Sequence, residues 1–210
     1  MIIIGSGGHA RAVIAAYLSN REHNIKIKGI IDIDYQEKIE QEIILGQTVL
    51  GGLSYLYANF EPNKTQFFPA IGNNKCRKDI SETLLSKGYS TRSIIHSLSS
   101  VDPSAVIYDG SFIGPYAHIG PNATIGFGCI INTMANIEHE TCLGPYVFTG
   151  PSAVVCGRCS IEELSFLGAC SCVIENLTIA NNVTIGAGAV VARSIIGSHS
   201  KYCGVPARKT

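Results

Sequence analysis

One aliphatic residue recurs at every sixth position between Val101 and Val191, without an insertion. A second column, four residues after the first, holds mostly small or β-branched side chains, and glycine follows a residue of the first column seven times. Among the sixteen positions of the first column only Thr149 is not aliphatic. The column consists of Val101, Ile107, Ile113, Ile119, Ile125, Ile131, Ile137, Leu143, Thr149, Val155, Ile161, Leu167, Val173, Ile179, Ile185 and Val191.

A period of six residues matches neither an α-helix nor a continuous strand, which repeat about every 3.6 and 2 residues. It is typical of a coil of short strands and turns that stacks on itself. In such a coil the aliphatic and small columns point inward, and Gly and Asn accept positive φ at the corners. Residues 101–191 therefore predict a solenoid of about five coils of three six-residue units each.

This repeat resembles the hexapeptide repeat of the left-handed β-helix acyltransferases. The resemblance implies left-handed coils of about 18 residues and assembly as a homotrimer. It is more specific for the fold than for acyl transfer, because the same coil also occurs as a bare scaffold.

Composition limits the classes of partner. The chain has 210 residues, with 16 Lys and Arg against 16 Asp and Glu. A net charge of zero argues against nucleic acid or an anionic membrane as a partner, because both require clustered cations. No apolar run approaches the roughly 20 residues of a membrane span, and the apolar start is too short for a signal peptide. We therefore predict a cytoplasmic protein.

Eight cysteines raise the question of a metal site, because Cys156 and Cys159 form a CxxC pair and Cys170 and Cys172 follow closely. In the six-residue register these four cysteines fall in different columns, so their side chains do not converge. We expect no metal, and we interpret the cysteines as small thiols in a reducing compartment.

The first third of the chain has a different pattern. Residues 1–4 predict a short buried strand, the segment GSGGHA follows, and residues 11–19 predict a helix. Residues 26–31 predict the next strand, with Asp32 and Asp34 at its end. This order matches the GxGxxG/A pattern, in which glycines let the backbone approach a phosphate at a helix N-terminus and an acid binds ribose hydroxyls.

A dinucleotide such as NAD would need two mononucleotide-binding halves, and only about 95 residues precede the repeat. One nucleotide fits better, and a tight turn without a ligand is the alternative. Residues 50–52 predict a turn, 54–59 a helix, 66–71 a strand, 75–87 a helix and 89–95 a last strand. We therefore predict a Rossmann-like half-domain of the α/β class over residues 1–95 and an all-β, parallel β-helix over 96–210.

The combination of these two domains resembles the NeuD/PglD-like bacterial nucleotide-sugar acetyltransferases. The resemblance rests on GSGGHAR, GIIDID, AIGNN with Arg77, INTMANIEHE, TIGAGAVV and GVPARK, so it covers nearly the whole chain. It implies that the first domain binds the nucleotide sugar, and that the β-helix binds acetyl-CoA at a subunit interface.

The resemblance also implies roles for individual residues. Near the nucleotide sugar it places Gly5, Gly7, Gly8, His9, Arg11, Asp32 and Ile33, with Asn132 at the sugar. Near acetyl-CoA it places Gly157, Ala187, Gly188 and Arg208, with Arg193, Lys201 and Lys209 as further cations for the phosphates.

The six-residue register gives independent information on His139. Because Ile137 and Thr141 point inward, His139 faces outward at a corner. With 18 residues per coil, Gly157 stacks about 4.8 Å from it and leaves space for a ligand. By the family resemblance, His139 is the general base, Glu140 orients it, and a backbone amide near Gly157 stabilises the oxyanion.

The same stacking places Glu140 beside Arg158. Glu140 could therefore form an ion pair along the coil instead of orienting His139, and Glu138 would then be a weaker substitute.

The chain departs from the family pattern at Phe148, where many members have a second histidine near the acceptor. Phe148 stacks on Phe166 in the 18-residue frame. Two such rings suit subunit packing or the methyl group of a deoxy sugar better than the carboxylate of a sialic acid.

These observations predict an acetyl-CoA-dependent enzyme that acetylates the 4-amino group of a UDP-linked 4-amino-4,6-dideoxy sugar for surface glycans. The alternatives are a sialic acid O-acetyltransferase, a GDP-amino-sugar N-acetyltransferase and a non-catalytic nucleotide-sugar binding module.

Overall fold

The computed structural model describes residues 1–20, 26–36 and 42–210 of the chain. Strands up to residue 91 belong to one sheet, and strands from residue 94 onwards form a three-sided coil. The chain is therefore an α/β domain followed by a β-helix, and the strand pairing changes from one to the other between Thr91 and Ile94. The exact domain division at residue 95 stays a prediction.

Within the described residues, the N-terminal sheet has six strands and three helices around it. The strands are β1 (Ile2–Ile4), β2 (Gly29–Ile31), β3 (Ile43–Ile44), β4 (Gln47–Gly51), β5 (Gln66–Pro69) and β6 (Ser90–Thr91). The helices are α1 (Gly8–Ser19), α2 (Leu53–Asn59) and α3 (Asn74–Ser86), with a 3-10 turn at Pro62–Lys64. The strand order is β3-β4-β2-β1-β5-β6, and only β3 runs antiparallel to its neighbour. In the described ranges, no helix is long and apolar enough to cross a membrane.

Most predicted elements of this domain are present within a few residues of their predicted bounds. Two differ. Residues 47–51 form a strand that pairs with β2 and extends the sheet. The sequence predicts that a turn begins at residue 50, which lies within this strand. The strand predicted over residues 89–95 is two strands, because Ser90–Thr91 pairs with β5 and Ile94–Ile95 pairs inside the β-helix.

The β-helix has three faces, which successive strands visit in turn. Face 1 contains β7 (Ile94–Ile95), β10 (Phe112–Ile113), β13 (Ile130–Ile131), β16 (Phe148–Thr149), β19 (Phe166–Leu167), β22 (Thr184–Ile185), β24 (Lys201–Cys203) and β25 (Arg208–Lys209). Face 2 contains β8 (Ser100–Val101), β11 (His118–Ile119), β14 (Asn136–Ile137), β17 (Val154–Val155), β20 (Cys172–Val173) and β23 (Val190–Val191). Face 3 contains β9 (Val106–Ile107), β12 (Thr124–Ile125), β15 (Cys142–Leu143), β18 (Ser160–Ile161) and β21 (Thr178–Ile179).

The register of these strands confirms the repeat. Ile119 pairs with Ile137, and Ile137 pairs with Val155, each 18 residues further along the chain. The column of sixteen residues points into the coil, where burying each aliphatic side chain contributes roughly 1.5–3 kcal/mol. The one polar member, Thr149, is fully buried, and its hydroxyl donates to the carbonyl of Ile130 at 3.3 Å. The fold is the predicted left-handed parallel β-helix.

The glycines that follow the aliphatic column let neighbouring coils approach each other. A Cβ built on Gly126 would lie 2.6 Å from the carbonyl carbon of Gly144 in the next coil. The backbone leaves no room for a side chain there, so these glycines are needed for the close approach of the coils.

The N-terminal domain packs on face 1. The first three strands of face 1 carry the outward side chains Ile94, Phe112 and Ile130. These side chains are buried and share an apolar cluster with Val13 and Ile14 of α1. The next outward ring, Phe148, is partly buried against the same cluster.

We predict that Gly126→Ala lowers the thermal unfolding midpoint, because the added methyl must push two coils apart at a cost of about 1–3 kcal/mol. Gly197→Ala is the matched control, since a Cβ at Gly197 meets nothing within 4 Å. Equal melting temperatures of the two variants in circular dichroism would contradict the close-approach role.

Candidate active site

A cleft of about 430 Å³ opens where β1, β2 and β5 end. It is lined by Gly5, Ser6, Gly7, Gly8, His9, Asp32, Ile33, Asp34, Ala70, Ile71 and Gly72. The carboxyl ends of neighbouring parallel strands meet at one edge of a sheet, so the turns that follow them share this space.

Six of the seven residues predicted near a nucleotide line this cleft, and the exception is Arg11. Its guanidinium instead donates to the carbonyls of Ser6 and Gly7, at 2.8 and 3.2 Å. The loop at residues 70–72 was not predicted to take part. It reaches the cleft because β5 is the neighbour of β1, which local sequence patterns do not reveal.

The glycine turn leaves the first turn of α1 open. Gly7 is the N-cap without a side-chain cap, and the first turn contains no acidic residue. A Cβ at Gly7 or Gly8 would meet nothing within 4 Å, whereas one at Gly5 would lie 2.8 Å from the carbonyl oxygen of Ala70. Gly5 therefore allows close packing of two loops, and Gly7 and Gly8 keep the helix N-terminus accessible to an anion.

His9 forms part of the cleft and contacts the β-helix. Its ring lies edge-on to Phe112, with centroids 5.1 Å apart. The ring as a whole is only partly buried, but Nε2 has almost no exposed surface and no hydrogen-bond partner among the described residues. Burial, and secondly the positive charge of Arg77, lower the pKa of His9 to about 3. The imidazole is therefore neutral at physiological pH.

The second group of predicted residues lies in the turn between β14 and β15, at the edge between faces 2 and 3. His139 Nδ1 is 3.1 Å from Glu140 Oε2, and Arg158 Nε donates to the same oxygen at 2.9 Å. The two interactions considered as alternatives for Glu140 therefore exist together. Glu138 does not substitute for it, since its carboxylate accepts a hydrogen bond from Asn136 at 2.8 Å.

The Glu140 contact determines the tautomer of His139. The pKa of Glu140 is held below its usual value, first by the hydrogen bond with His139 and then by the charge of Arg158. An ionised carboxylate only accepts hydrogen bonds, so in the neutral imidazole Nδ1 carries the proton and Nε2 carries the lone pair. His139 Nε2 is thus in the correct form to accept a proton.

Gly157 lies beneath this imidazole, as the coil register predicts. A Cβ on Gly157 would lie 2.5 Å from Cε1 and 2.6 Å from Nε2 of His139. The imidazole itself, and not a ligand as we expected, fills the space left by the missing side chain. The N–H of Gly157 has no acceptor within the described parts of the chain.

Phe148 stacks on Phe166 as predicted from the 18-residue frame. Their ring centroids are 4.6 Å apart and the ring planes differ by 4°. The pair lies on face 1 at the border of the N-terminal domain, and Phe166 is 37% exposed.

The remaining predicted residues lie at different edges of the β-helix. Asn132, Ala187 and Gly188 lie in turns between faces 1 and 2. Arg208 lines a groove of about 360 Å³ near the C-terminus, together with Arg193 and Lys209. Arg193 follows β23 and lies at the C-terminal end of the edge between faces 2 and 3, the edge that carries His139 and Gly157.

Cysteine, histidine, aspartate and glutamate form no cluster of three or more that could hold a metal ion anywhere in the described ranges. All eight cysteines are free thiols.

A single chain does not bring the cleft and His139 together. The N-terminal domain covers face 1, and the edge between faces 2 and 3, which carries His139, lies opposite that face.

We predict that His9 makes folding sensitive to acid. The imidazole of His9 binds a proton near pH 6.5 in the unfolded state and only near pH 3 in the folded state. The free energy of unfolding therefore falls as pH decreases through this range. The melting temperature of the unsubstituted protein should therefore fall more between pH 7 and 4.5 than that of His9→Gln. If the melting temperatures of the two proteins fell equally with pH, the burial of a neutral imidazole would be contradicted.

Comparison with known proteins gives consistent matches. Residues 1–84 match the PglD N-terminal domain. The structure of PerB from Caulobacter crescentus, solved with CoA and GDP-perosamine, is 31% identical, has a TM-score of 0.88 and aligns over 100% of this chain and 96% of that one. The acetyltransferase domain of PglB from Neisseria gonorrhoeae, solved with acetyl coenzyme A, is 30% identical with a TM-score of 0.88, over 100% and 98% of the two chains.

A GDP-perosamine N-acetyltransferase from Escherichia coli O157:H7 is 29% identical over 198 residues, which are 92% of this chain and 78% of the relative. The glycine-turn domain, the β-helix and these full-length matches agree with one another. The chain is therefore an acyltransferase that belongs to the NeuD/PglD-like family of nucleotide-sugar acetyltransferases.

Proposed function

We propose that this protein transfers the acetyl group of acetyl-CoA to the amino group of a nucleotide-linked amino sugar. The more specific acceptor is a UDP-linked 4-amino-4,6-dideoxy sugar, acetylated at the 4-amino group for surface glycan assembly. The observation that carries the proposal is the oriented pair of His139 and Glu140, in which Nδ1 of His139 lies 3.1 Å from Glu140 Oε2.

The proposed reaction is a direct transfer. The sugar amine attacks the carbonyl carbon of the thioester, and His139 Nε2 accepts the proton that the nitrogen loses. The C–S bond then breaks, and the CoA sulfur leaves and is protonated to the thiol. The N–H of Gly157 is the proposed donor to the oxyanion, and its lack of an acceptor supports this role.

Acetyl-CoA is the proposed co-substrate because the Caulobacter and Neisseria relatives contain CoA or acetyl coenzyme A. In this chain, Arg193, Arg208 and Lys209 line a groove at the C-terminal end of the edge that carries His139. These cations are suited to the phosphates of CoA, whose thioester would then lie near Gly157. Ala187 and Gly188 lie at another edge, and we assign them to the pantetheine arm of CoA bound to a neighbouring copy.

We further propose that the active form is a homotrimer with sites between subunits. The supporting observation is the separation of the cleft on face 1 from His139 at the opposite edge. A second copy must supply one of these two parts for a sugar held in the cleft to reach the base.

A GDP-linked amino sugar is the second candidate. Two relatives are described with GDP-perosamine, which favours a guanine nucleotide. The same relatives support an amine as acceptor, and not the hydroxyl of sialic acid.

We expect acetyl-CoA and the correct member of a panel of UDP- and GDP-linked amino sugars to yield a product heavier by one acetyl group. His139→Ala should lower kcat at least a hundredfold, because general base catalysis contributes about 10²–10⁴. Mass spectrometry is the appropriate readout, since eight free cysteines would react with a thiol dye.

His118→Ala is the matched control, because His118 lies on face 2 in the preceding coil and has no assigned role. Full activity of His139→Ala would disprove the base assignment. Transfer to free sialic acid alone would disprove the amine acceptor.

We predict that Phe148→Ala raises the KM for the acceptor severalfold with little change in the KM for acetyl-CoA. An aromatic ring contacting the apolar part of a deoxy sugar contributes about 1 kcal/mol, and the stacked Phe166 would lose its partner. Phe148→Tyr should retain most of the affinity. An unchanged acceptor KM, with an unchanged size in gel filtration, would exclude a role for this ring in acceptor binding or assembly.

A further inference from the structure

The cleft has an unusual distribution of charge for a site that would hold a nucleoside diphosphate. Asp32 and Asp34 line it, and among the described residues that line it there is no lysine and no arginine. Attraction for phosphate must therefore come from backbone amides and from cations behind the cleft wall. Two guanidinium groups occupy such positions.

Arg77 lies behind the loop at residues 70–72, which lines the cleft. It is fully buried, and its Nη1 donates to the carbonyls of Ile71 and Gly72 at 3.0 and 3.2 Å. Both of these residues line the cleft. The guanidinium is therefore separated from the cleft by a single layer of backbone.

The other donors of Arg77 hold the loop against the β-helix. Nε donates to the carbonyl of Gly128 at 2.7 Å, and Nη2 donates to the carbonyl of Tyr146 and to Asn74 Oδ1, both at 2.9 Å. All five N–H groups thus have neutral acceptors. In the described part of the chain no carboxylate pairs with this buried charge.

Arg11 lies in the same manner behind the glycine turn that precedes α1. Its Nη1 donates to the carbonyls of Ser6 and Gly7, and both residues line the cleft. Unlike Arg77 it is exposed, so it can be changed without opening the core. Two of the three loops that line the cleft therefore each have carbonyls bound by an arginine.

This arrangement orients the peptide groups. The C=O and N–H of a trans peptide point in opposite directions, so a carbonyl held from behind directs its N–H towards the cleft. Four peptides have their carbonyls held in this way, and their N–H groups belong to Gly7, Gly8, Gly72 and Asn73. Their N–H groups find no acceptor within residues 1–20, 26–36 and 42–210.

The charge of Arg77 also reaches the cleft. It contributes to the lowered pKa of His9, which lines the same space. Burial lowers the pKa of Arg77 itself to about 10, so the group remains a cation at neutral pH. A buried cation without a carboxylate partner favours an anion in the adjacent cleft.

We propose that Arg77 and Arg11 are positioning residues for the diphosphate of the nucleotide sugar. They hold two loops so that backbone amides face the phosphates, and they supply positive charge without contacting the ligand. This inference rests on the proposed function, because it requires a nucleotide in the cleft.

Calorimetric binding of UDP, UMP, GDP and GMP to the full chain tests the proposal. In Arg11→Ala we expect the affinity for the preferred diphosphate to fall about fivefold, and that for the monophosphate to fall less. Arg11→Lys should recover part of this loss, because it keeps the charge and one donor. Lys64→Ala is the matched control, since it removes one exposed charge at the opposite edge of the sheet.

Arg77→Lys provides the second test, because it keeps the buried charge while losing the forked donors. We expect a lower ratio of diphosphate to monophosphate affinity in this variant, with acetyl-CoA affinity unchanged. General damage to the fold would weaken both nucleotides equally, so the ratio separates positioning from stability.

The outcomes are distinguishable. If the unsubstituted protein binds none of the four nucleotides, the proposed function and this inference both fail. If it binds a diphosphate, and Arg11→Ala and Arg77→Lys remain folded with unchanged affinity ratios, only the positioning role is overturned.

Discussion

The stacking of inward side chains at 18-residue intervals is the constraint on which the rest of the structure depends. Each coil buries its aliphatic and small residues only against the coils above and below it, so the repeat cannot drift by a single residue without turning its core outward. Ile119, Ile137 and Val155 show this register on face 2. The same constraint requires glycine at positions such as Gly126, where neighbouring backbones leave no room for a Cβ.

The chemistry of the site follows from this stacking. His139 and Glu140 have partners 18 residues later, namely Gly157 and Arg158, because outward residues must form columns when inward residues do. The imidazole rests on a position without a side chain, and the carboxylate beside it is held from two directions. The scaffold therefore orients the imidazole of His139 with regular geometry and needs no special loop.

Much of this could be predicted because it depends on local periodicity. The sixteen β-helix strands from β8 to β23, the stacked rings of Phe148 and Phe166, and the glycine turn before α1 all follow from spacing along the chain. Strand β4 could not be predicted in this way, since its pairing with β2 depends on which edge of the sheet is free. The loop at residues 70–72 was missed for a similar reason, because it reaches the cleft only through the pairing of β5 with β1.

The sequence by itself determined the repeat, its register and the residue types at the corner with His139, because these depend on which residues recur at a fixed interval. Only the tertiary structure decided that Glu140 serves His139 and Arg158 at once, that His9 is a neutral imidazole against Phe112, and that Arg77 joins the cleft to the β-helix. Apart from the adjacent pair of His139 and Glu140, these contacts join residues 18 to about 100 positions apart. The contacts of His9 and Arg77 depend on how two independently patterned domains pack against each other. No local pattern contains that information.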